Sequence, residues 1–176
     1  MNFNNKKILI TGGSGFIGTN YIEYLLKSGQ VEFINLDIKP PRNPAHKSFW
    51  QKCDLLDIGN LKKIVKDFSP TYIVHLAANT STSEQKLSAF AVNTKGTENL
   101  ILALKEVPSV ERVIFTSTQL VSEVGRIPKY DTDYKPSTVY GLSKVKMEQI
   151  IRTQKDLPYI WTIIRPISIW GPWFDE

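Results

Sequence analysis

The sequence predicts an α/β domain built on a doubly wound parallel sheet, in three layers, with helices on both faces. Three observations carry that prediction. Short runs that are apolar throughout, as strands buried on both sides must be, alternate with longer stretches of helical periodicity. A cluster of glycines sits between the first apolar run and the first helical stretch. An acidic residue closes the second apolar run.

The first strand is expected at KKILIT (6–11), followed by GFIGTNYIEYLLKSG (15–29), where Phe16, Ile17, Tyr21, Tyr24 and Leu25 fall at helical spacing until Gly29 stops the helix. VEFINLD (31–37) reads as the second strand, with a short strand at 48–53, a helix over about 57–68 and a strand at TYIVHLA (71–77). A long helical region over about 84–106, a strand RVIFTS (112–117), a helix over about 137–155 and a last strand YIWTIIR (159–165) complete the pattern. The loop DIKPPRNPAHK (37–47) carries three of the ten prolines and reads as an irregular excursion, too short for a domain linker.

Composition sets the bounds. The 176 residues suit one domain spanning 1–176, and 41% hydrophobic with 22% charged residues is ordinary for a globular chain. No apolar run approaches the length needed to cross a bilayer, and Ile8-Leu9-Ile10 is too short for the core of a signal peptide, so a soluble protein is expected. Cys53 is the only cysteine, which excludes an intrachain disulfide or a cysteine-based zinc site and points to the cytoplasm. The formal charge of +5 favours phosphorylated ligands, but no run of like charges exceeds two residues; the excess reads as solvated surface rather than a nucleic-acid interface. No metal site is expected: His46 and His75 lie in different segments, and His75 reads as a packed or hydrogen-bonded histidine.

Glycine is costly inside regular structure, so TGGSGFIG (11–18) requires a reason. Gly12, Gly15 and Gly18, with Gly13 also giving Gly-x-Gly-x-x-Gly, lie where a tight turn, a close backbone approach to pyrophosphate and a close helix–sheet contact each exclude a Cβ. Asp37, 19 residues beyond Gly18, ends the second strand, where it can accept hydrogen bonds from the adenosine ribose. Strand, turn, helix and Asp37 in this register point to a dinucleotide. The carboxylate favours NAD over NADP, an inference that Lys39 and Arg42 nearby soften. A nucleoside-triphosphate loop is disfavoured, because Thr19 follows Gly18 where that motif needs Lys.

A second constellation is STVYGLSK, in which Tyr140 and Lys144 share one face of a helix. A phenol is a poor base at neutral pH, and a neighbouring ammonium lowers its pKa by favouring the phenolate. The pair follows a strand whose end, Thr116-Ser117-Thr118, brings hydroxyls to the carboxyl edge of the sheet, where doubly wound folds bind ligands.

Together TGGSGFIG, HLAA (75–78), NTKGTENL (93–100), the hydroxyl-rich strand end, YGLSK and RPISIWGP (165–172) occur in the order found in extended short-chain dehydrogenases/reductases, and the chain most resembles their nucleotide-sugar epimerase/dehydratase branch. The resemblance implies a Rossmann-like fold. It implies that Gly12, Gly15 and Gly18 hold the pyrophosphate, with Phe16 and Ile17 beside them also binding the cofactor, that Asp37 holds the ribose, that Asp54 and Leu55 flank the adenine, and that Ala77, Ala78 and Asn93 line the cofactor groove. Tyr140 would then be the acid/base, Lys144 its pKa-lowering partner and nicotinamide-ribose ligand, and Thr118 the second hydrogen bond to the reacting oxygen. Blander roles stand beside these: Asp54 as a helix cap, Asn93 as a helix polar residue, Ala77 and Ala78 as packing.

The resemblance further implies a nucleotide-sugar substrate, hydride transfer at a sugar carbon, and dimerisation through the two long helices as in the family. An epimerase leads, with a reductase of a keto-sugar or other small carbonyl as the alternative. A 4,6-dehydratase is disfavoured, because Gln119-Leu120 replaces the acid pair that follows the catalytic Thr. Val121-Ser122-Glu123 and Ser168 also depart from the pattern near where the family binds substrate. The family continues beyond the Gly171-Pro172 motif into a smaller substrate lobe, so a truncated form or a minimal cofactor-binding domain is expected. That would expose Ile167, Ile169, Trp170, Trp173 and Phe174 and favour self-association. A non-catalytic dinucleotide sensor is the rival class; the presence of Thr118, Tyr140 and Lys144 argues against it.

Overall fold

A computed structural model describes residues 6–29 and 32–174. Its elements are β1 (Lys7–Thr11), α1 (Phe16–Ser28), β2 (Glu32–Asp37), β3 (Trp50–Lys52), α2 (Ile58–Phe68), β4 (Tyr72–His75), α3 (Thr97–Lys105), β5 (Arg112–Thr116), α4 (Val139–Thr153) and β6 (Ile160–Ile164). Val31, the expected start of the second strand, lies outside the described residues.

All neighbouring strands pair in parallel, in the order β3-β2-β1-β4-β5-β6. The winding therefore reverses between β1 and β4, which opens a crevice beyond their carboxyl ends. The side chains of β1 alternate between two cores. Ile8 and Ile10, with Phe33 of β2, pack on Ile22 and Leu25 of α1. Leu9 on the opposite face joins Leu36, Ile73, Val113 and Phe115 against α2, α3 and α4, through Leu61, Leu104 and Met147 among others. A strand that serves both cores must be apolar at every position, which is why β1 reads Ile-Leu-Ile.

The edge strand β6 is packed on one face. Trp161 and Ile163 pack on the larger core, but Ile160 and Ile164 on the opposite face are 59% and 41% exposed.

The expected long helix over 84–106 is corrected. Residues 84–86 are not helical; a 3-10 turn (Leu87–Phe90) and a π-turn (Val92–Gly96) precede α3. The π-turn has its reason in Asn93. A buried amide needs partners, and the wide turn sets the fully buried Asn93 against the loop after β4. There Oδ1 accepts from Asn79 N (2.8 Å), while Nδ2 donates to Asn79 O (2.9 Å) and to Ser143 Oγ (2.8 Å). The excursion after β2 is more ordered than expected, because Asn43 Oδ1 accepts from Ala45 N (3.0 Å) and starts a 3-10 turn over Pro44–Phe49. No described helix is long and apolar enough to cross a membrane.

Candidate functional site

The crevice at the carboxyl ends of β1 and β4 is a cleft of about 1000 Å³, and the β1–α1 turn forms its floor. Gly12 has φ +74°, a left-handed conformation, and a Cβ there would lie 2.5 Å from Ala77 N. A Cβ on Gly18 would lie 2.7 Å from Gly12 O, inside the turn itself. These two glycines are demanded by the protein's own packing. Gly15 differs: its φ of −77° is open to any residue, and an added Cβ would meet only Gly12 O, at 3.3 Å. Its bare backbone faces the cleft. No side chain caps α1 and no acidic residue lies in its first turn, which leaves the helix N-terminus suited to an anion.

Asp37 is fastened over this turn. Oδ2 accepts from Ser14 N (3.1 Å) and Oδ1 from Lys39 N (2.9 Å), so the end of β2 and the glycine turn form one unit beside the cleft. Ser14 completes it by donating to Lys39 O (2.9 Å) and accepting from Asn35 Nδ2 (3.1 Å).

Gly12, Gly15, Phe16, Ile17, Gly18, Asp37, Asp54, Leu55, Ala77 and Ala78 all line the cleft. Asp54 is exposed, and its carboxylate accepts from Leu56 N (2.9 Å); the cap of α2 falls to Asp57 instead, whose Oδ1 accepts from Asn60 N (3.1 Å). Asn93 is the exception. It lies beneath the cleft wall rather than on it, and ties the Asn79 backbone to Ser143 of α4, one turn from Tyr140.

Thr118, just beyond β5, and Tyr140 and Lys144 of α4 are all buried, with Lys144 reaching the last carbonyl of β5, but none of the three lines the large cleft. Gly141 is the residue that makes this approach possible. A Cβ there would overlap the Leu120 carbonyl, lying 3.1 Å from its carbon, so only glycine lets the turn after β5 reach α4. Sequence reading missed this role, although the Tyr-Gly dipeptide carried the signal. Burial raises the pKa of Tyr140, and the hydrogen bond with Thr118 opposes that rise without cancelling it.

The expected effect of Lys144 on Tyr140 is not what the geometry shows. The ammonium donates to Thr116 O (2.7 Å), with Met147 Sδ at 3.6 Å, and burial lowers its pKa to about 8 despite the carboxylate of Glu148 nearby. Helical spacing placed Lys144 on the right face. Its nearest acceptor comes from a strand.

Glu148, one turn further along α4, was missed. It is fully buried and accepts from Ser117 Oγ (2.6 Å), Tyr134 OH (2.8 Å), Arg165 Nε (2.8 Å) and Arg165 Nη2 (2.6 Å). Burial alone would raise its pKa, but these donors more than offset that and hold the carboxyl below its ordinary value. His75 is a structural hydrogen-bonding residue, as expected. Its ring contacts Thr11 Oγ1 (2.7 Å) and Thr97 Oγ1 (3.0 Å), and burial pushes its pKa down to about 3.

The chain matches the model of the NAD dependent epimerase/dehydratase family over residues 8–176. It is 29% identical to GDP-6-deoxy-D-talose 4-dehydrogenase of Aggregatibacter actinomycetemcomitans, over 94% of this chain and 53% of that protein. It is 32% identical to UDP-glucose 4-epimerase of Vibrio cholerae, over 95% of this chain and 53% of that one. The crystal structure of Thermus thermophilus UDP-glucose 4-epimerase in complex with NAD superposes with a TM-score of 0.75 at 29% identity, covering 90% of this chain and 54% of that one. The chain thus spans about half the length of the curated relatives it matches. With a Rossmann-like parallel sheet, a glycine cradle beside Asp37 and a family match over nearly its whole length, the chain belongs to the NAD-dependent epimerase/dehydratase family.

Proposed function

We propose that this chain binds NAD in the β1–α1 cleft and supplies the acid/base site for hydride exchange at carbon 4 of a nucleotide sugar, most simply as an epimerase. The observation that carries this reading is the glycine cradle of the cleft, locked to Asp37 through Ser14 N, with Tyr140 on the helix that Asn93 ties, through Ser143, to Asn79 of the cleft wall. The names of the two relatives, one an epimerase and the other a dehydrogenase, both place the reaction at carbon 4.

The residues present fit the cofactor. Gly15 is bare on the cleft side with Gly12 O as the one close neighbour a Cβ would meet, the first turn of α1 suits the pyrophosphate, and Asp37 suits the ribose hydroxyls. NAD, when bound, supplies hydride acceptance and return; orientation and proton transfer fall to the protein. Tyr140 exchanges the proton of the sugar hydroxyl through its phenolic oxygen, and Thr118 holds the same hydrogen-bonded position. Lys144, protonated below about pH 8, brings positive charge to the strand end that carries Thr118. Gln119, where a dehydratase would need an acid, argues for epimerisation or simple oxidation over loss of water.

Calorimetric titration tests the cofactor reading: NAD is expected to bind, and NADP at least about tenfold more weakly, because the Asp37 carboxylate meets the 2′-phosphate. Equal affinity, or no binding of either, overturns it. For the chemistry, conversion of UDP-, GDP- and dTDP-hexoses to their 4-epimers would be followed by separating the product sugars, because an epimerase returns its hydride, and net NADH formation would mark simple oxidation instead. Tyr140→Phe is expected to lower turnover by about 100-fold or more while NAD affinity stays within about twofold. Turnover retained by Tyr140→Phe removes that residue from its role.

A further inference from the structure

After β6 the chain reaches α1, where its described course ends. Gly171–Phe174 forms a tight turn, closed by Phe174 N donating to Gly171 O (3.3 Å), with Trp173 at φ +69°, where glycine is the usual residue. Every residue after Gly171 in this turn is anchored. Pro172 O accepts from Asn20 Nδ2 (2.8 Å), Trp173 Nε1 donates to Glu23 Oε1 (2.9 Å), and Trp173 O accepts from Arg42 Nη1 (2.9 Å). The ring of Phe174 meets that of Phe16 edge to face, with centroids 5.1 Å apart. Phe174 thereby lines the cleft beside Gly15 and Phe16, yet remains 57% exposed.

We propose that the Gly171–Phe174 turn is a wall of the dinucleotide site that shields the pyrophosphate end, an inference that rests on reading the cleft as that site. Two elements distant in sequence, α1 and the loop after β2, hold the turn in place through Asn20, Glu23 and Arg42. A phenyl ring beside the first turn of α1 excludes water where backbone N–H groups meet an anion, and their attraction strengthens as the local dielectric falls. A ligand seated there also covers apolar ring surface that is otherwise in water.

Three probes divide the possibilities: NAD, ADP-ribose and adenosine, the last lacking the pyrophosphate. Phe174→Ala is expected to weaken NAD and ADP-ribose alike by roughly tenfold and to leave adenosine unchanged. Glu23→Ala, which removes the anchor of Trp173 and no cleft-lining side chain, is expected to shift NAD in the same direction by less. Both side chains lie near the surface, so thermal melting is expected to stay close to wild type. If the wild-type chain binds no NAD, the dinucleotide reading fails and this one with it. If wild type binds while Phe174→Ala binds equally or more tightly, the wall is overturned and the cofactor reading stands. An equal loss of adenosine would mark general disruption of the cleft and overturn the wall as well.

Discussion

Gly18→Ala is expected to destabilise the fold by about 3 kcal/mol or more, whereas Gly15→Ala is expected to cost under about 1 kcal/mol and to act on NAD binding instead. The difference follows from what each new Cβ would touch. At Gly18 it would lie 2.7 Å from both Gly12 O and Gly13 C, backbone atoms of a turn that is itself pinned between β2 and β4. No side chain can swing away there, so the turn must open. At Gly15 the sole neighbour is the same Gly12 O, but at 3.3 Å, so a few tenths of an ångström relieve the contact where Gly18→Ala would need the turn to open, and the methyl then stands at the mouth of α1. For a chain of this size 3 kcal/mol corresponds to a fall in Tm of about 6–12 °C. Urea melts and NAD titrations of the two variants read the effects separately. Gly15→Ala is expected to weaken NAD about tenfold or more at near wild-type stability. Unchanged NAD affinity would show that the cradle does not hold the ligand, and a wild-type melt for Gly18→Ala would contradict the tight turn.

The same turn shows which features could be read from sequence. The alternation of strands and helices, the glycine spacing and Asp37 are local patterns, and the structure assembles them as expected because each depends on neighbours within one βαβ unit. Features set by contacts distant in sequence were hidden. Asn93 widens the helix to a π-turn that its own neighbours would not require, because its amide is claimed by Asn79 and Ser143. Lys144 stands at the right spacing from Tyr140, but its ammonium is claimed by Thr116, 28 residues away. Phe174 reads as an exposed apolar residue, and it is one, yet it also reaches Phe16 at the other end of the chain. Helical period identifies a face; it cannot say what that face will meet. Glu148 was the most legible omission, since it lies four residues beyond Lys144 on a face already known to point inward.

Glu148→Ala is accordingly expected to cost about 3–5 kcal/mol, the range for breaking a buried ionic network by removing one partner. The carboxylate is fully buried and takes hydrogen bonds from Ser117 just after β5, from Tyr134 in the loop before α4, and from Arg165 just after β6. Its removal would leave the Arg165 guanidinium with the Asp131 carbonyl (2.6 Å) as its remaining acceptor among the described residues. Glu148→Gln keeps the shape and part of the bonding but not the charge, so an intermediate loss is expected. The sign of the pH dependence separates charge from packing. These donors hold the Glu148 carboxyl below its ordinary pKa, so the stabilisation is complete above the unfolded carboxyl range and is lost as the pH falls through the folded value. The gap in urea midpoint between wild type and Glu148→Gln should therefore be widest near neutral pH and narrow in acid; a gap that stays constant would assign the loss to packing alone. The consequence reaches the site. Ser117 lies between Thr116, whose carbonyl takes the Lys144 ammonium, and Thr118, which meets Tyr140. Glu148 also favours the charged form of Lys144, so its loss should lower the lysine pKa further below about 8 and weaken the hold of α4 on that strand end.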